Sequence, residues 1–238
     1  MFNLFKTKGN FLETDLHSHL IPNIDDGVSN WEDAVEILSQ LCKLGYKKVI
    51  TTPHIILGYY PNTPDIIREG VVRLNQMLED SDIPILVEPG AEYFVDEKFY
   101  EMVKAGEELL TFGDQYILIE TPFMNKPFYL EDVIFDLQAR GFKPILAHPE
   151  RYSYLQNDFQ IIHKLADSGV LFQVNINSLE GYYSSQAKKI AQRLIDNQLV
   201  HFLGSDIHNQ KHMNQMRKTV KSKLFQKCRQ LDLLNSTL

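Results

Sequence analysis

Apolar positions fall in short runs at roughly 12–17, 47–52, 84–91, 116–121, 143–147, 170–175 and 199–204, and helical three-and-four spacing fills the intervals. The runs read as strands and the intervals as helices, so the alternation predicts about seven β–α units around a parallel sheet. The first helix has Ser29 and Glu32 in capping-box spacing. Its apolar stripe is Trp31, Ala34, Val35, Leu38, Leu41 and Cys42, and Gly45 stops it. Thr63 before Pro64 predicts an N-cap and first helical position for a helix through about Leu78. Gly141 ends a helix containing Val133, Ile134 and Leu137. Further helices are expected near 157–168, 182–197 and 210–226, the last least regular and frayed beyond Cys228.

Nearly every apolar run closes on a nitrogen or oxygen donor. The closures are Asp15-Leu16-His17-Ser18-His19, Thr52-Pro53-His54, Gly90-Ala91-Glu92, Ile119-Glu120, Ala147-His148-Pro149-Glu150-Arg151 and Ser205-Asp206-Ile207-His208. An open doubly wound sheet gives the same alternation, but gathers its active groups at one crevice between two strands. Donors at nearly all the strand ends require those ends to converge, which favours a barrel with its site at one rim.

Composition adds bounds. At 238 residues, 44% hydrophobic and 23% charged, residues 1–238 are expected to form a single domain, with a core over about 12–225, a short N-terminal extension and a C-terminal tail. The formal charge of −7 argues against a nucleic-acid surface. It leaves a small phosphorylated ligand open, because three divalent ions bound among Asp26, Glu92, Glu120 and Asp206 would make the pocket cationic. The segment Met1–Asn10 lacks the apolar core of a signal peptide and no run is long enough to span a membrane, so a soluble, cytoplasmic protein is expected. Cys42 and Cys228 have no spacing that suggests a disulfide framework or zinc knuckle.

Strand alternation places Asp15, His17 and His19 on one face, so both imidazoles reach one metal while Asp15 lies deeper and orients a histidine. The His-x-His spacing also occurs as buried polar packing. Asp206 and His208 repeat the logic near the other end of the chain; taken alone, Asp206 also reads as a helix cap. His54 leaves its strand behind Pro53, with a surface-turn histidine as the plain alternative. Glu92 follows the small residues Gly90 and Ala91 and suits bridging of two metals, with Glu88 the weaker candidate. Glu120 and His148 end apolar strands that should not bury an unpaired polar group. Arg151 offers a planar guanidinium for phosphate, or pairs with Glu150 on the surface. His163, His201 and His212 are assigned to packing or surface, and Gln173 and Asn175 line the sixth strand as neutral hydrogen-bonding groups.

These residues resemble the polymerase and histidinol phosphatase (PHP) superfamily over essentially residues 12 to 210. Asp25-Asp26-Gly27, Gly90-Ala91-Glu92, Leu118-Ile119-Glu120, Ala147-His148-Pro149-Glu150-Arg151-Tyr152, Gln173-Val174-Asn175 and Ser205-Asp206-Ile207-His208-Asn209 are similar to segments of its bacterial capsule-type, manganese-dependent protein-tyrosine phosphatases. The resemblance implies an α/β fold, a distorted (β/α)7 barrel related to the TIM barrel, with a trinuclear metal site at the C-terminal rim of the strands. It implies one metal on His17, His19, Glu92 and Asp206, a second on Glu92, Glu120 and His148, and a third on Asp26, His54 and His208. Asp26 is preferred to Asp25 because it directly precedes the glycine. The ions implied are manganese, with iron or zinc also suited to such ligands.

The implied activity is phosphotyrosine hydrolysis in proteins by metal-activated hydroxide, with Arg151 on the phosphate and Asp206 or His208 assisting through a bound water. The implied partner is the tyrosine-rich tail of a cytoplasmic tyrosine kinase of polysaccharide export. Where some relatives carry basic residues after the histidine at position 54, this chain has Ile55-Ile56-Leu57-Gly58-Tyr59-Tyr60, which leaves substrate scope open. Tyr59, Tyr60, Phe94, Phe123, Tyr152 and Tyr183 are candidates to line a pocket for a phenyl ring, or to pack at its rim. Rival readings are a histidinol-phosphate phosphatase of the same superfamily, an amidohydrolase, which expects a metal-bridging lysine where Glu120 stands, and a metal-stabilised binding module without activity. Neither Cys42 nor Cys228 is followed by the loop and arginine together that a phosphate-cradling thiolate needs.

Overall fold

The computed structural model describes residues 12–238, so the N-terminal extension over Met1–Asn10 lies outside the described residues. In order, its elements are β1 (Thr14–Asp15), α1 (Trp31–Lys43), β2 (Lys48–Thr51), β3 (His54–Ile55), α2 (Pro64–Asp80), β4 (Leu86–Pro89), β5 (Glu92–Phe94), α3 (Glu97–Ala105) and β6 (Tyr116–Glu120). Then come α4 (Leu130–Ala139), β7 (Lys143–Ala147), α5 (Ser153–Asn157), α6 (Gln160–Asp167), β8 (Leu171–Asn175), α7 (Ser185–Asp196), β9 (Phe202–Gly204), α8 (Gln210–Thr219) and α9 (Lys223–Cys228). All strand pairs are parallel, in two sheets ordered β1-β2-β4 and β3-β5-β6-β7-β8-β9.

Two expected strands, over 47–52 and 84–91, are each followed at once by a second short strand beyond those bounds. Pro53, which has no N–H to give, separates β2 from β3, and Gly90-Ala91 separates β4 from β5. At Gly90 a Cβ would lie 2.9 Å from the Ile50 side chain and 3.0 Å from that of Thr52, so only glycine lets the strands approach there. Backbone bonds from Thr52 N to Ser18 O (2.7 Å), Gly90 N to Thr51 O (2.9 Å) and Glu92 N to Pro53 O (3.1 Å) carry the chain across the break.

The outer strands also meet. Ser18 and Ile207 form a parallel bridge, and Asp206 N donates to His17 O at 2.8 Å. Asp15 accepts from Ser205 N (2.8 Å) and Ser205 Oγ (2.5 Å) across the same seam. Below it, buried Asn235 accepts from Leu203 N at 3.0 Å and donates to Leu203 O (2.8 Å) and Thr14 O (3.0 Å), bridging β9 to β1 with a side chain. Leu16, Ile50, Phe112, Tyr116, Leu118, Ile145, Ala147 and Phe202 pack together as one buried layer. Alternate residues such as Ile117, Ile119 and Leu146 belong to a larger cluster with helix residues. Strands buried on both faces explain why their sequences are continuously apolar.

Thr63 caps α2 through Ile66 N, as predicted. The cap of α1 is Asn30, accepting from Asp33 N, rather than Ser29. Helix α3, capped by Asp96 and ended by Gly106 at φ 74°, was not expected, and the last predicted helix breaks into α8 and α9, the second capped by Ser222.

Candidate metal centre

All nine candidate ligands come together where the strands end. His17 and His19 follow β1 on one face, and their Nε2 atoms lie 3.2 Å apart. Glu92, at the start of β5, places Oε2 3.2 Å from the first and 3.5 Å from the second. Asp206 Oδ1 is 3.5 and 3.6 Å from the same two nitrogens. His54 Nδ1 is 3.0 Å from Glu120 Oε1 and 3.2 Å from Glu92 Oε2. His148 Nε2 is 3.0 Å from Glu92 Oε1 and 4.0 Å from Glu120 Oε2. Asp26 Oδ1 lies 3.5 Å from His54 Nε2 and 3.3 Å from His208 Nε2. Among the described residues, three overlapping groups have metal-holding spacing: His17, His19 and Glu92; His54, Glu92 and Glu120; and His19, Asp26, His54 and His208.

The donors fit divalent cations better than they fit one another. Gln173 Oε1 accepts from His17 Nδ1 at 2.8 Å and Asp25 Oδ2 from His19 Nδ1 at 2.7 Å, which fixes both protons on Nδ1 in the neutral rings. Two Nε2 lone pairs then face each other and two carboxylates inside a buried site. Such a set is repulsive without positive charge, and nitrogen and oxygen donors of this kind suit manganese, iron or zinc. His54 Nδ1 is buried without a hydrogen-bond partner although two carboxylates lie close to it, the arrangement a cation between them would satisfy.

The protonation equilibria express the same demand. Burial disfavours the His17 imidazolium, but Glu92 and Asp206 outweigh it and hold its pKa up at about 9. His19 is likewise held well above its ordinary value, burial being overcome by Asp25 and Glu92. Burial raises Asp206 and Glu92, yet both carboxyls lie well below the usual range because cationic groups surround them: His17, His208 and Arg151 for Asp206, His17 and His54 for Glu92.

The orienting residues differ from expectation. Asp15 bonds Ser205 and so fixes the seam, leaving the histidines to Gln173 and Asp25. Asp25 also accepts from His54 N at 3.0 Å and Gly27 N at 2.9 Å, a role hidden in the sequence because Asp25 and Asp26 are adjacent and chemically alike. Gln173 Nε2 donates to Asn175 Oδ1 (2.8 Å), and Asn175 Nδ2 to Asp206 Oδ2 (2.6 Å), so two amides on β8 link a histidine after β1 to the aspartate after β9. Asp206 and His148 hold left-handed backbone, φ 51° and 34°, a strained state for residues other than glycine.

Arg151 Nη1 pairs with Asp206 Oδ2 at 3.0 Å, and its guanidinium lies between the rings of Phe123 (4.8 Å) and Tyr183 (4.2 Å). It does not pair with Glu150, which is buried and accepts from Asn175 N and Ser178 Oγ. The cleft encloses about 670 Å³ and is lined by Tyr59, Tyr60, Phe94, Phe123, Tyr182 and Tyr183 with the metal-centre residues. Tyr152 is not on that wall: it is fully buried, its hydroxyl accepting from Thr121 N. His212, expected to be packing or surface, lines the cleft with Nδ1 3.0 Å from Asp206 O. His201 accepts from Phe172 N at 3.0 Å, a structural role.

Histidines and carboxylates at the ends of parallel strands, with an arginine beside them in an aromatic-walled cleft, define a metal-dependent hydrolase on an α/β frame. A family model for capsular polysaccharide synthesis, CpsB/CapC, matches residues 13–235, and the chain belongs to that family. It is 37% identical over 201 residues to the tyrosine-protein phosphatase YwqE of Bacillus subtilis (strain 168), covering 84% of this chain and 79% of the relative. A solved structure from work on YwqE of Bacillus subtilis and CpsB of Streptococcus pneumoniae, described as unique metal-dependent tyrosine phosphatases, superimposes with a TM-score of 0.79. It has 34% identity and 89% coverage of both chains. A histidinol phosphate phosphatase from Lactococcus lactis shares the fold alone, at 13% identity, TM-score 0.53 and coverage of 88% and 92%.

Proposed function

We propose that this protein is a metal-dependent protein-tyrosine phosphatase acting in capsule or exopolysaccharide synthesis. The observation that carries the reading is a guanidinium held beside a buried cluster of imidazoles and carboxylates at the floor of an aromatic cleft. In this reading residues 1–238 are one domain, and the two sheets, joined through the Ser18–Ile207 bridge, work as one distorted seven-unit barrel with three ions, manganese foremost, at its rim. His17, His19, Glu92 and Asp206 hold one ion, Glu92, Glu120 and His148 a second, and Asp26, His54 and His208 a third. His54 also faces Glu92 and Glu120 and is shared between the latter two groups.

Bound divalent ions supply charge for phosphate oxygens and acidify a water to serve as nucleophile. The chain's own residues do the rest. Arg151 binds the equatorial oxygens, fixed by Asp206 on its edge and by two rings on its faces, so little ordering is left to pay at the transition state. The aromatic walls take the phenyl ring and narrow water access. A phenolate, with a pKa of about 10, leaves without an obligatory protein acid. In this reading Asp206 or His208 assists at the leaving oxygen through a bound water. The substrate is a phosphotyrosine segment, foremost the tail of a cytoplasmic tyrosine kinase. A cytoplasmic site of action accords with a chain in which no described helix is long and apolar enough to cross a membrane.

The test compares hydrolysis of a phosphotyrosine peptide and of histidinol phosphate by metal-loaded protein, with elemental analysis. Preference for the peptide with more than one equivalent of metal is expected. Activity on histidinol phosphate alone overturns the substrate, and full activity after chelation overturns the mechanism.

A further inference from the structure

The loop from Thr121 to Tyr129 runs from β6, which ends in Glu120, to α4, and it exposes its apolar residues. Phe128 is 90% exposed, Met124 69% and Phe123 38%. The exposure comes from a loop that is held, not from one left loose. Thr121 Oγ1 bonds the Tyr154 hydroxyl at 2.7 Å, Phe123 O accepts from Ser153 N at 2.8 Å, and Lys126 pairs with Glu131. Phe128 leans on Tyr129 at 4.7 Å between ring centres, edge to face, and Pro122 and Pro127 restrict the backbone.

Apolar side chains on a loop whose backbone is already held lose contact with water at little further backbone cost when a partner covers them, the pattern of an interaction surface. The partner's place follows from continuity. Phe123 belongs to both the lip and the cleft, its ring stacked on His148 at 5.9 Å and under the Arg151 guanidinium. On the Phe123 side of the cleft, a polypeptide whose phosphorylated side chain reaches Arg151 has the loop carrying Met124 and Phe128 as its way out. We infer that this loop is a docking lip for the polypeptide beside the phosphotyrosine, with Met124 and Phe128 receiving an apolar side chain of that segment. The inference rests on the proposed phosphatase reading and adds to it a basis for choosing protein over small phosphomonoesters.

The test uses metal-loaded full chain, wild type and the double variant Met124→Ser, Phe128→Ser, on three substrates: p-nitrophenyl phosphate and two phosphotyrosine peptides. One peptide carries leucine or phenylalanine near the phosphorylated residue, the other glycine and serine. Wild type is expected to have the lower KM for the apolar peptide. The double variant should raise that KM about tenfold, equivalent to about 1.4 kcal/mol, while kcat and the constants for the other two substrates stay unchanged. Equal KM values for the two peptides in wild type, or a double variant that keeps the preference, overturn the lip. So does sedimentation or vesicle binding showing that the double variant loses only self-association or lipid affinity. Hydrolysis of p-nitrophenyl phosphate with no hydrolysis of either peptide overturns the protein-phosphatase reading instead.

Discussion

Gln173→Leu isolates what the amides on β8 contribute. Gln173 is fully buried and makes two side-chain bonds of 2.8 Å, one to His17 Nδ1 and one to Asn175 Oδ1. Leucine has similar bulk and neither bond, and Gly204 beside it has no Cβ to crowd the new methyls. The His17 N–H then has no acceptor whenever Nε2 points into the ligand cluster. A buried donor left unpaired costs about 1–3 kcal/mol. That penalty falls on the metal-competent orientation, so metal affinity should drop about 10- to 100-fold. Gln173→Glu keeps the acceptor and should lose far less. Affinity is read by competition against a chromophoric chelator, with circular dichroism confirming that both variants fold. A folded Gln173→Leu protein binding metal within about threefold of wild type would refute the claim that this amide sets the histidine's tautomer and direction.

Arg151→Ala should lower turnover about 100-fold with metal content intact; loss of metal instead would show that its main task is to hold Asp206. Asn235→Ala removes three buried hydrogen bonds, two to Leu203 of β9 and one to Thr14 of β1, at about 1 kcal/mol each. It should lower Tm by about 6–12 °C in a thermal melt, whereas the exposed Ser236→Ala should not. His17 has its folded pKa raised from 6.5 to about 9, so in chelated protein its contribution to stability is complete below pH 6.5 and is lost as pH rises through 9. Urea midpoints of chelated protein should therefore fall over that window. Loading with metal at pH 7.5 should release protons, visible as a calorimetric heat that changes with buffer; an unchanged heat would contradict the displacement.

The candidate ligands are legible in the sequence because strand alternation and strand ends are encoded locally. His17 and His19 had to share a face, and Glu120 and His148 had to find partners once buried. What lay beyond it was partner choice across the fold. Asp15 shares a face with His17, but whether it meets the ring or Ser205, 190 residues away, depends on how the two outer strands abut. Asp25 and Asp26 are separated only by the turn that aims one inward at His19 and the other at His208. Tyr152, a candidate for the cleft wall, is buried, and Tyr182, which nothing in the sequence singles out, lines it, for the same reason: aromatic residues in loops carry no period to say which is buried. Helix α3 was missed because it is short and half-exposed.

The Asp15–Ser205 seam also dictates when the protein becomes competent. A ribosome adds about 5–20 residues per second, so the 190 residues between these two partners take roughly 10–40 s to emerge. Through that interval His17 and His19 are exposed without Asp206 or His208. A nascent chain stalled before β9 carries seven of the nine candidate ligands and lacks Asp206 and His208. The full candidate site is therefore complete only once β9 and the segment after it are made, and products truncated before Asp206 should be inactive however much metal is supplied.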